Sequence, residues 1–305
     1  MIKTNQLTPT NYWISVTAPT AHERSLLSQR YHVAPSLLDY ALDPYEKARI
    51  EKDETAGITL FIFDIVLPQH KLSEPDTTPV GLMLTPSHLI TFTTDTTDFA
   101  NVLIARQIEK MVATRQGHDN LDLLIRIMYK FTTAYFDPIR QADIERMRIQ
   151  RNLQQTMNRS AISSLMTIET GLVYILSSLQ GNIALLQEFD RRYQKKMTEA
   201  QSEALDDVLV EAQQGLEMAQ MASTLTQRVS DAYSKVLDSN LNQTMKFLTV
   251  YSIILAIPPI VSGFYGENVK LPLADTDWAW QLTIVITLIM ILISIWFILN
   301  KHWWR

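Results

Sequence analysis

The sequence predicts an α+β membrane protein: a cytoplasmic α/β domain, a long stalk helix continuous with a first transmembrane helix, and a second transmembrane helix near the C-terminus. Two uncharged stretches, residues 247–264 and 281–299, predict the membrane helices. Short β-like segments over residues 1–100 predict the α/β domain, and helical patterns follow it. Hydrophobic residues make up 47% and charged residues 19% of the 305-residue chain, so a disordered protein is excluded.

The predicted strands are rich in β-branched and aromatic residues, and clusters of Pro, Gly, Asp and Thr separate them. Helical patterns at residues 23–31 and 35–41 lie between the first two strands, which indicates a mixed α/β unit. The strands are predicted at Tyr12–Val16, Ile58–Leu67, Val80–Leu84 and His88–Phe92.

From about residue 98 the chain is predicted to be helical, over residues 98–114, 119–157, 160–189 and from 202 onward. Six segments follow in chain order. They are the α/β domain 1–100, a cytoplasmic helical part 101–201, the stalk and first transmembrane helix 202–265, an external loop 266–279, the second transmembrane helix 280–300 and a basic tail 301–305.

Each uncharged stretch is long enough to cross a bilayer. The hydrocarbon core needs roughly 20 apolar helical residues, and the stretches have 18 and 19. The alternative, a buried helix of a soluble protein, seldom runs this far without a charge. Lys246, Lys301 and Arg305 lie outside the two spans, whereas the loop between them is acidic. Both termini are therefore predicted to be cytoplasmic, in a multi-pass protein of the cell membrane.

Composition and motifs exclude several other functions. The chain has no cysteine, so a disulfide framework, a thiolate nucleophile and a Cys-ligated zinc site are excluded. It has no glycine-rich phosphate loop, paired-histidine motif or nucleophile elbow, so we expect neither an enzyme nor a bound cofactor. Six scattered histidines are better explained as surface or core residues than as metal ligands. No nucleic-acid partner is expected.

The predicted stalk helix has an apolar side and an acidic side. Seven carboxylates against two basic residues between 202 and 242 indicate either an ordinary solvated face or a vestibule that attracts cations. The apolar stripe has the steps of three and four that packing along a partner requires, so in a ring of subunits we expect it to face the axis. Its members are Leu205, Leu209, Ala212, Leu216, Ala219, Ala222, Leu225, Val229, Ala232 and Val236.

One face of the first span has small and weakly polar residues, while its other faces are bulky. Such a face indicates either close helix packing or a water-lined path. Two spans cannot enclose a path, so a pore would require a ring of subunits. The residues at this spacing are Asn242, Met245, Thr249, Ser252, Ala256, Pro259 and Gly263.

The residues that follow this face resemble a family signature. Gly263-Phe264-Tyr265-Gly266-Glu267-Asn268 is similar to the Tyr-Gly-Met-Asn motif of the CorA family of magnesium and cobalt transporters. Residues 242–249 and the Trp278-Ala-Trp280 stretch agree with the family pattern. Fainter similarity around residues 35–51 and 137–153 extends the resemblance over nearly the whole chain.

The resemblance implies a funnel-shaped homopentamer that conducts hydrated Mg²⁺, Co²⁺ and Ni²⁺ through a pore lined by the first span. It implies that Gly266 and Asn268 hold the ion at the outer mouth, where their oxygens would contact its waters without removing them. Glu267 replaces the family's methionine in this filter. Its carboxylate either joins a ring around the axis or points into the loop toward Lys270.

The resemblance also implies where the pore narrows. Asn242 and Leu248 would form its polar and hydrophobic constrictions, and Ala256, in place of a bulkier methionine, would widen its middle. The implied pore-lining residues are Asn242, Met245, Leu248, Thr249, Ser252, Ala256, Pro259 and Gly263.

In the family, Mg²⁺ bound between cytoplasmic domains holds the channel closed. The carboxylate of this chain that matches is Asp207, beside Asp206. The partner position is expected within residues 64–76, where His70 and Lys71 lie nearest to it. The carboxylates available there are Asp64, Glu74 and Asp76.

Three classes of function remain open. The first is a pentameric divalent-cation channel, with Mg²⁺ as the transported and regulatory ion and with further copies of the chain and the lipid bilayer as partners. The second is a zinc or other transition-metal transporter on the same scaffold, which proton dependence and zinc flux would distinguish. The third is a two-span signalling or scaffold protein that does not conduct.

Overall fold

The computed structural model describes residues 1–6, 11–68, 77–113, 119–152, 159–267 and 278–300. Its contacts divide the chain into two units, Met1–Asp231 and Ala232–Arg305. The strands are β1 Ile2–Gln6, β2 Tyr12–Thr17, β3 Arg49–Asp53, β4 Ile58–Val66, β5 Thr77–Leu84 and β6 His88–Thr93; the helices are α1 Ala21–Tyr31, α2 Pro35–Leu42, α3 Phe99–Ala113, α4 Asn120–Thr133, α5 Phe136–Asn152, α6 Arg159–Tyr193, α7 Glu199–Tyr265 and α8 Ala279–Asn300.

The strands form one sheet in the order β1-β2-β6-β5-β4-β3, in which β2 and β6 are parallel and the other neighbours antiparallel. Successive side chains of a strand point to opposite faces. On β4, Leu60 and Ile62 therefore pack with α1 and α2, while Phe61 and Phe63 pack with α3, α4 and α6. Burial on both faces explains the nearly continuous apolar run of this strand.

The four predicted strands are confirmed within three residues at each end, and the predicted fold class is confirmed as well. The sequence did not predict β1 and β3, which are edge strands of polar composition with mostly exposed or half-buried side chains. β1 has no buried side chain and β3 has only Ile50 buried, so neither strand shows the apolar alternation of a half-buried strand that a pattern search could detect.

The predicted helix over residues 119–157 is divided in the structure into α4 and α5, with a break at Ala134 and Tyr135. Pro138 lies in the first turn of α5 and cannot donate a hydrogen bond to the carbonyl of Ala134, which favours a break at this point. Tyr135 is fully buried at the break, and its hydroxyl donates to the carbonyl oxygen of Asp64 at 2.8 Å.

Most of the apolar stripe of α7 is buried or half-buried within the chain itself, and only Ala232 and Val236 at its end are exposed. Leu205 and Ala212 belong to the core beneath the sheet, and Ala219, Ala222 and Val229 belong to a second core formed with α5 and α6. The expectation that this stripe faces a subunit axis is therefore wrong for these residues. The spacing correctly predicted a packed face, but the partner is the helical part of the same chain.

Among the residues that the structure describes, three helices are long and apolar enough to cross a membrane, namely α6, α7 and α8. The sequence predicted only the last two. The apolar window of α6 is 39% buried, and its inner face forms the second core of the Met1–Asp231 unit. We therefore assign α6 to the soluble domain and retain α7 and α8 as the membrane helices.

Candidate functional site

The candidate pore face lies on the C-terminal part of α7. All eight residues implied to line the pore are exposed in the single chain. At 100° per residue they occupy one sector of the helix, because their spacing follows its turn of 3.6 residues. These residues are Asn242, Met245, Leu248, Thr249, Ser252, Ala256, Pro259 and Gly263, hereafter the exposed stripe.

The opposite side of this helix is buried. Ile257 and Val261 are each only 5% exposed, and Val250 and Ile254 are half-buried on the two preceding turns. Half-buried residues recur on α8 at helical spacing, from Leu282 to Ile298, which indicates that the two helices pack along these faces. The exposed stripe is centred about 140° round the helix from the buried side. It is thus left free of contact with α8.

Hydroxyl groups on the stripe donate to their own helix. The hydroxyl of Thr249 donates to the carbonyl oxygen of Met245 at 2.8 Å, and that of Ser252 donates to Leu248 at 2.8 Å. Each hydroxyl oxygen then has lone pairs left to accept hydrogen bonds. The stripe therefore presents acceptors, which suit the waters around a cation.

The signature begins where α7 ends, at Tyr265. The N–H of Gly266 donates to the carbonyl oxygen of Ser262 at 2.9 Å, and the N–H of Glu267 donates to Phe264 at 3.4 Å. A Cβ at position 266 would come within 3.1 Å of the Ser262 oxygen, so glycine suits this tight helix end. The Glu267 side chain is exposed. Asn268, the third filter residue, lies outside the described residues.

The two stalk carboxylates implied to bind a regulatory ion, Asp206 and Asp207, are both exposed on α7. Asp207 lines a cavity of about 620 Å³ between α3, α4 and α7, together with Asp119 and Asp122. The buried amide of Gln201 donates to Asp119 Oδ1 at 3.2 Å and to Asp122 Oδ1 at 3.0 Å.

The sequence analysis did not identify Asp119, Asp122 or Gln201. The Asp-x-x-Asp spacing was a detectable signal, but Asp119 and Asp122 form the capping box of α4, so the same pattern has a structural role. Arg126 and Lys130 also line the cavity and offset its negative charge.

Asp64 on β4 is held against α6. Its backbone N–H donates to Asn182 Oδ1 at 3.0 Å, and its carbonyl oxygen accepts from Asn182 Nδ2 at 2.9 Å. Burial raises the pKa of the Asp64 carboxyl to about 6, and a hydrogen bond from Ser178 opposes part of that rise. The described residues contain no group of three or more His, Asp or Glu side chains able to hold a metal ion. Four further positions named for this sensor, His70, Lys71, Glu74 and Asp76, lie outside the described residues.

Comparison with known proteins agrees with this architecture. The family described as CorA-like Mg²⁺ transporter protein matches residues 9–301. A curated relative, the cobalt/magnesium transport protein CorA of Methanocaldococcus jannaschii, is 24% identical over 95% of this chain and 90% of its own length.

Solved structures show the same fold. The complete structure of the CorA magnesium transporter from Methanocaldococcus jannaschii matches with a TM-score of 0.80 at 23% identity, over 96% of this chain and 91% of that one. The full-length CmaX protein matches with a TM-score of 0.73 at 12% identity, over 96% and 91% of the two chains. The ZntB cytoplasmic domain from Vibrio parahaemolyticus matches with a TM-score of 0.60 at 12% identity, over 76% and 90%.

The family match covers nearly the whole chain, including the soluble domain, both apolar helices and the signature. This family consists of membrane transporters and not of enzymes, which agrees with the absence of catalytic motifs in the sequence. The chain therefore belongs to the CorA-like Mg²⁺ transporter family and is a divalent-cation transporter of the membrane.

Proposed function

We propose that five copies of this chain form a Mg²⁺ channel in the cell membrane, with Co²⁺ and Ni²⁺ as further cargo. The observation that supports this most directly is the exposed stripe of α7, which lies away from α8 and leads to Gly266. Two helices cannot enclose water, so polar groups on such a face need neighbouring copies around an axis. The name of the relative from Methanocaldococcus jannaschii supports Mg²⁺ and Co²⁺ as the ions.

Ion capture in this proposal uses neutral oxygen atoms at the outer mouth. Mg²⁺ releases its waters reluctantly, so a filter works best by accepting hydrogen bonds from the hydrated ion. The carbonyl of Gly266 and the side-chain amide of Asn268 would provide those acceptors, repeated around the axis. Glu267 would add negative charge that concentrates cations at the mouth.

Passage then follows the exposed stripe inward. Ser252 and Thr249 would accept hydrogen bonds from the ion's waters, and the Leu248 ring would close the path by excluding water. Asn242 and Met245 would line the cytoplasmic end. The positive-inside rule supports cytoplasmic termini and an external filter, since Lys246 precedes the first span and Glu267 follows it.

Regulation by cytosolic Mg²⁺ is the second part of the proposal. Asp206 and Asp207 are exposed, so a neighbouring copy could reach them. Their carboxylate oxygens are ligands that Mg²⁺ prefers. Asp64 is a weaker partner than its position in the sequence suggested, because its backbone is bonded to Asn182 and its carboxyl is buried against α6. Asp76 remains the other proposed partner.

Glu267 is the observation that favours a second candidate, a zinc or other transition-metal transporter. A carboxylate binds divalent cations directly, whereas the neutral thioether of the family's methionine is a poor ligand for hard cations, and direct binding favours metals that dehydrate more easily than Mg²⁺. The two candidates differ in ion preference and in whether a proton gradient drives transport.

Flux into proteoliposomes tests the proposal. Mg²⁺, Co²⁺, Ni²⁺ and Zn²⁺ are compared with and without a pH gradient, and we expect Mg²⁺ uptake that needs no gradient. Asn268→Ala should abolish uptake, because it removes one acceptor per subunit from the filter. Asn300→Ala, the same change at the end of α8, is the matched control and should conduct normally. Zinc uptake that requires a proton gradient would favour the second candidate.

The mass of the detergent-solubilised protein tests assembly. A pentamer of the 35.0 kDa chain should have a mass of about 175 kDa. A monomer or dimer would contradict the proposed pore, since neither can surround a water-filled path.

A further inference from the structure

Two helices of the Met1–Asp231 unit each expose a large apolar side chain next to a charged one. Ile144 of α5 is 55% exposed and Met221 of α7 is 67% exposed. Arg140 precedes Ile144 by four residues, Glu217 precedes Met221 by four, and both charged residues are exposed. Residues four apart lie one above the other on a helix. Arg140 and Ile144 therefore form one patch, hereafter the α5 patch, and Glu217 and Met221 form another, the α7 patch.

The charges of the two patches are opposite in sign and are not used within the chain. Neither Arg140 nor Glu217 forms a hydrogen bond or ion pair with any residue that the structure describes. Two other arginines of α5 differ in this respect, since Arg146 pairs with Asp143 at 2.7 Å and Arg148 pairs with Glu145 at 3.3 Å. The two patches are thus available to a partner outside the chain.

The patches lie on opposite sides of the helical layer. Ala142 of α5 and Ala219 of α7 are buried in the core that α5, α6 and α7 share. Each patch residue is two positions before or after one of these alanines, which places it about 160° round its helix from the core. Both patches therefore point away from the shared core, and they do not face each other within one chain.

The patches also lie at nearly the same height. A Cβ on Gly215 of α7 would lie 3.6 Å from atoms of both Phe136 on α5 and Leu179 on α6, so these three residues share one level. Short connections join α5 to α6 and α6 to α7, which makes successive helices antiparallel and gives α5 and α7 the same direction. The α5 patch begins four residues beyond Phe136 and the α7 patch begins two residues beyond Gly215. At 1.5 Å per residue their heights differ by about 3 Å.

We propose that the α5 patch of one copy docks on the α7 patch of a neighbouring copy, with Arg140 paired to Glu217 and Ile144 packed on Met221. This inference rests on the proposed function, in which copies of the chain surround an axis. Rotation about an axis does not change height, so patches at one height on opposite sides of the chain meet where α7 runs along that axis. Two different patches make the contact heterologous, and such a contact closes into a ring and not into a two-fold dimer.

The chemistry of the two patches is complementary. Docking removes two exposed apolar side chains from water, which favours association. The unbranched thioether side chain of Met221 adapts to the shape of the surface that it meets. The ion pair sets which surfaces meet, because a contact between two copies of the same patch would place like charges together.

Cross-linking tests the contact. The chain has no cysteine, so single cysteines can be introduced without a background reaction. Ile144→Cys and Met221→Cys chains are co-expressed, which leaves Arg140 and Glu217 in place, and the purified protein is treated with a short bifunctional thiol reagent. We expect a covalent pair of two 35.0 kDa chains. Val173→Cys replaces Ile144→Cys in the matched control, because Val173 is also 55% exposed, and it should give no pair.

Charge reversal tests the ion pair separately. Arg140→Glu and Glu217→Arg should each raise the protein concentration at which the detergent-solubilised assembly dissociates, by about fivefold. The double variant should return to within about twofold of wild type, because the pair is restored with its charges exchanged. Arg106→Glu, at an exposed arginine of α3, is the control and should have no effect. Double reversal that adds to the loss and does not correct it would overturn the pairing.

The remaining outcomes separate this contact from the proposed function. A covalent pair formed by Met221→Cys alone would show that α7 meets α7 of the neighbouring copy, and it would overturn the docking. A wild-type pentamer in which Ile144→Cys and Met221→Cys chains give no pair would also overturn the docking and leave the proposed function intact. A wild-type chain that remains a monomer would overturn both.

Discussion

The helices α6 and α8 are both long and apolar, yet their exposed residues lie in different surroundings. The mean hydropathy of their best windows is 1.4 and 2.9, and the buried share of those windows is 39% and 0%. On α6 one face is buried in a protein core, and polar residues such as Thr170 and Ser177 lie on the other. On α8 apolar residues occur on all sides.

A side chain that is exposed in the single chain therefore has a different environment in each of the two helices. An exposed residue on α6 contacts water, so nearly any polar side chain is tolerated there. An exposed residue on α8 contacts lipid or another subunit, so a charge is not tolerated. Length and apolar composition do not separate the two cases, but a one-sided pattern does.

The largest expected effect comes from placing lysine at matched exposed positions. Val173 on α6 is 55% exposed and Leu288 on α8 is 54% exposed. Leu288→Lys should cost about 2.5–3.5 kcal/mol of insertion free energy and prevent stable integration, since residue 288 lies mid-span. Val173→Lys should change the free energy of unfolding by no more than about 0.5 kcal/mol. The membrane-integrated fraction and the melting temperature of each variant provide the comparison.

Either of two outcomes would contradict this assignment. Loss of membrane integration in Val173→Lys would place α6 in the lipid, and normal integration of Leu288→Lys would place α8 outside it.

Most of the fold could be predicted because each buried face of a strand or helix requires apolar residues at regular positions in the sequence. The apolar run of β4 and the helical spacing of α7 each reflect a face in contact with protein. β1 was missed because it has no buried face, and the partner of the α7 stripe was misassigned because spacing shows that a face is packed but not what packs on it.

The residues of the candidate filter were predicted from a sequence motif and not from a pattern of burial. Gly266 and Glu267 were located by resemblance to a motif, and the structure adds only the helix end that precedes them. The cavity at Asp207 could not be predicted, since it depends on α4 and α7 meeting across some 80 residues of sequence. The Asp-x-x-Asp spacing of Asp119 and Asp122 was visible in the sequence, but it is equally explained by the capping box of α4.

The second prediction tests whether α6 shields the Asp64 carboxyl of β4 from water. The folded-state pKa of Asp64 is about 6 against an ordinary value of 3.8, because burial disfavours the charged form. Since the folded pKa is the higher one, the stabilisation is complete below pH 3.8 and is lost as pH rises through 6. Its total is on the order of 2–3 kcal/mol.

Asp64→Asn should remove this dependence. The variant should unfold at a higher temperature than wild type at pH 8 and at a similar temperature near pH 4, and the difference between the two proteins cancels all other titrating groups. A difference that does not vary with pH would show that Asp64 is solvated and that α6 covers it loosely.

Two glycines give the third prediction. A Cβ on Gly81 of β5 would lie 2.9 Å from the Cβ and 3.0 Å from the carbonyl oxygen of Ala41 on α2, so backbone must move. Gly81→Ala should lower the free energy of unfolding by about 1–3 kcal/mol. A Cβ on Gly263 would meet nothing within 4 Å in the single chain, and alanine favours a helix.

Gly263→Ala should therefore leave the stability of the chain unchanged or higher. Any loss of Mg²⁺ uptake in that variant would come from neighbouring copies or from the pore. A destabilised Gly263→Ala chain would show that this part of α7 is packed within the chain after all.

The smallest effect is expected at Glu267, the exposed carboxylate just beyond the end of α7. If its charge concentrates cations at the mouth, Glu267→Gln should weaken the apparent affinity for Mg²⁺ a few-fold at low ionic strength. The loss should shrink at high ionic strength, because salt screens attraction between separated charges. Glu267→Met, which restores the family's residue, should behave like Glu267→Gln if charge is the relevant property. Uptake measured at both salt concentrations for both variants distinguishes the cases. An unchanged affinity in both would mean that the carboxylate points away from the axis, and ion selection would then depend on Gly266 and Asn268.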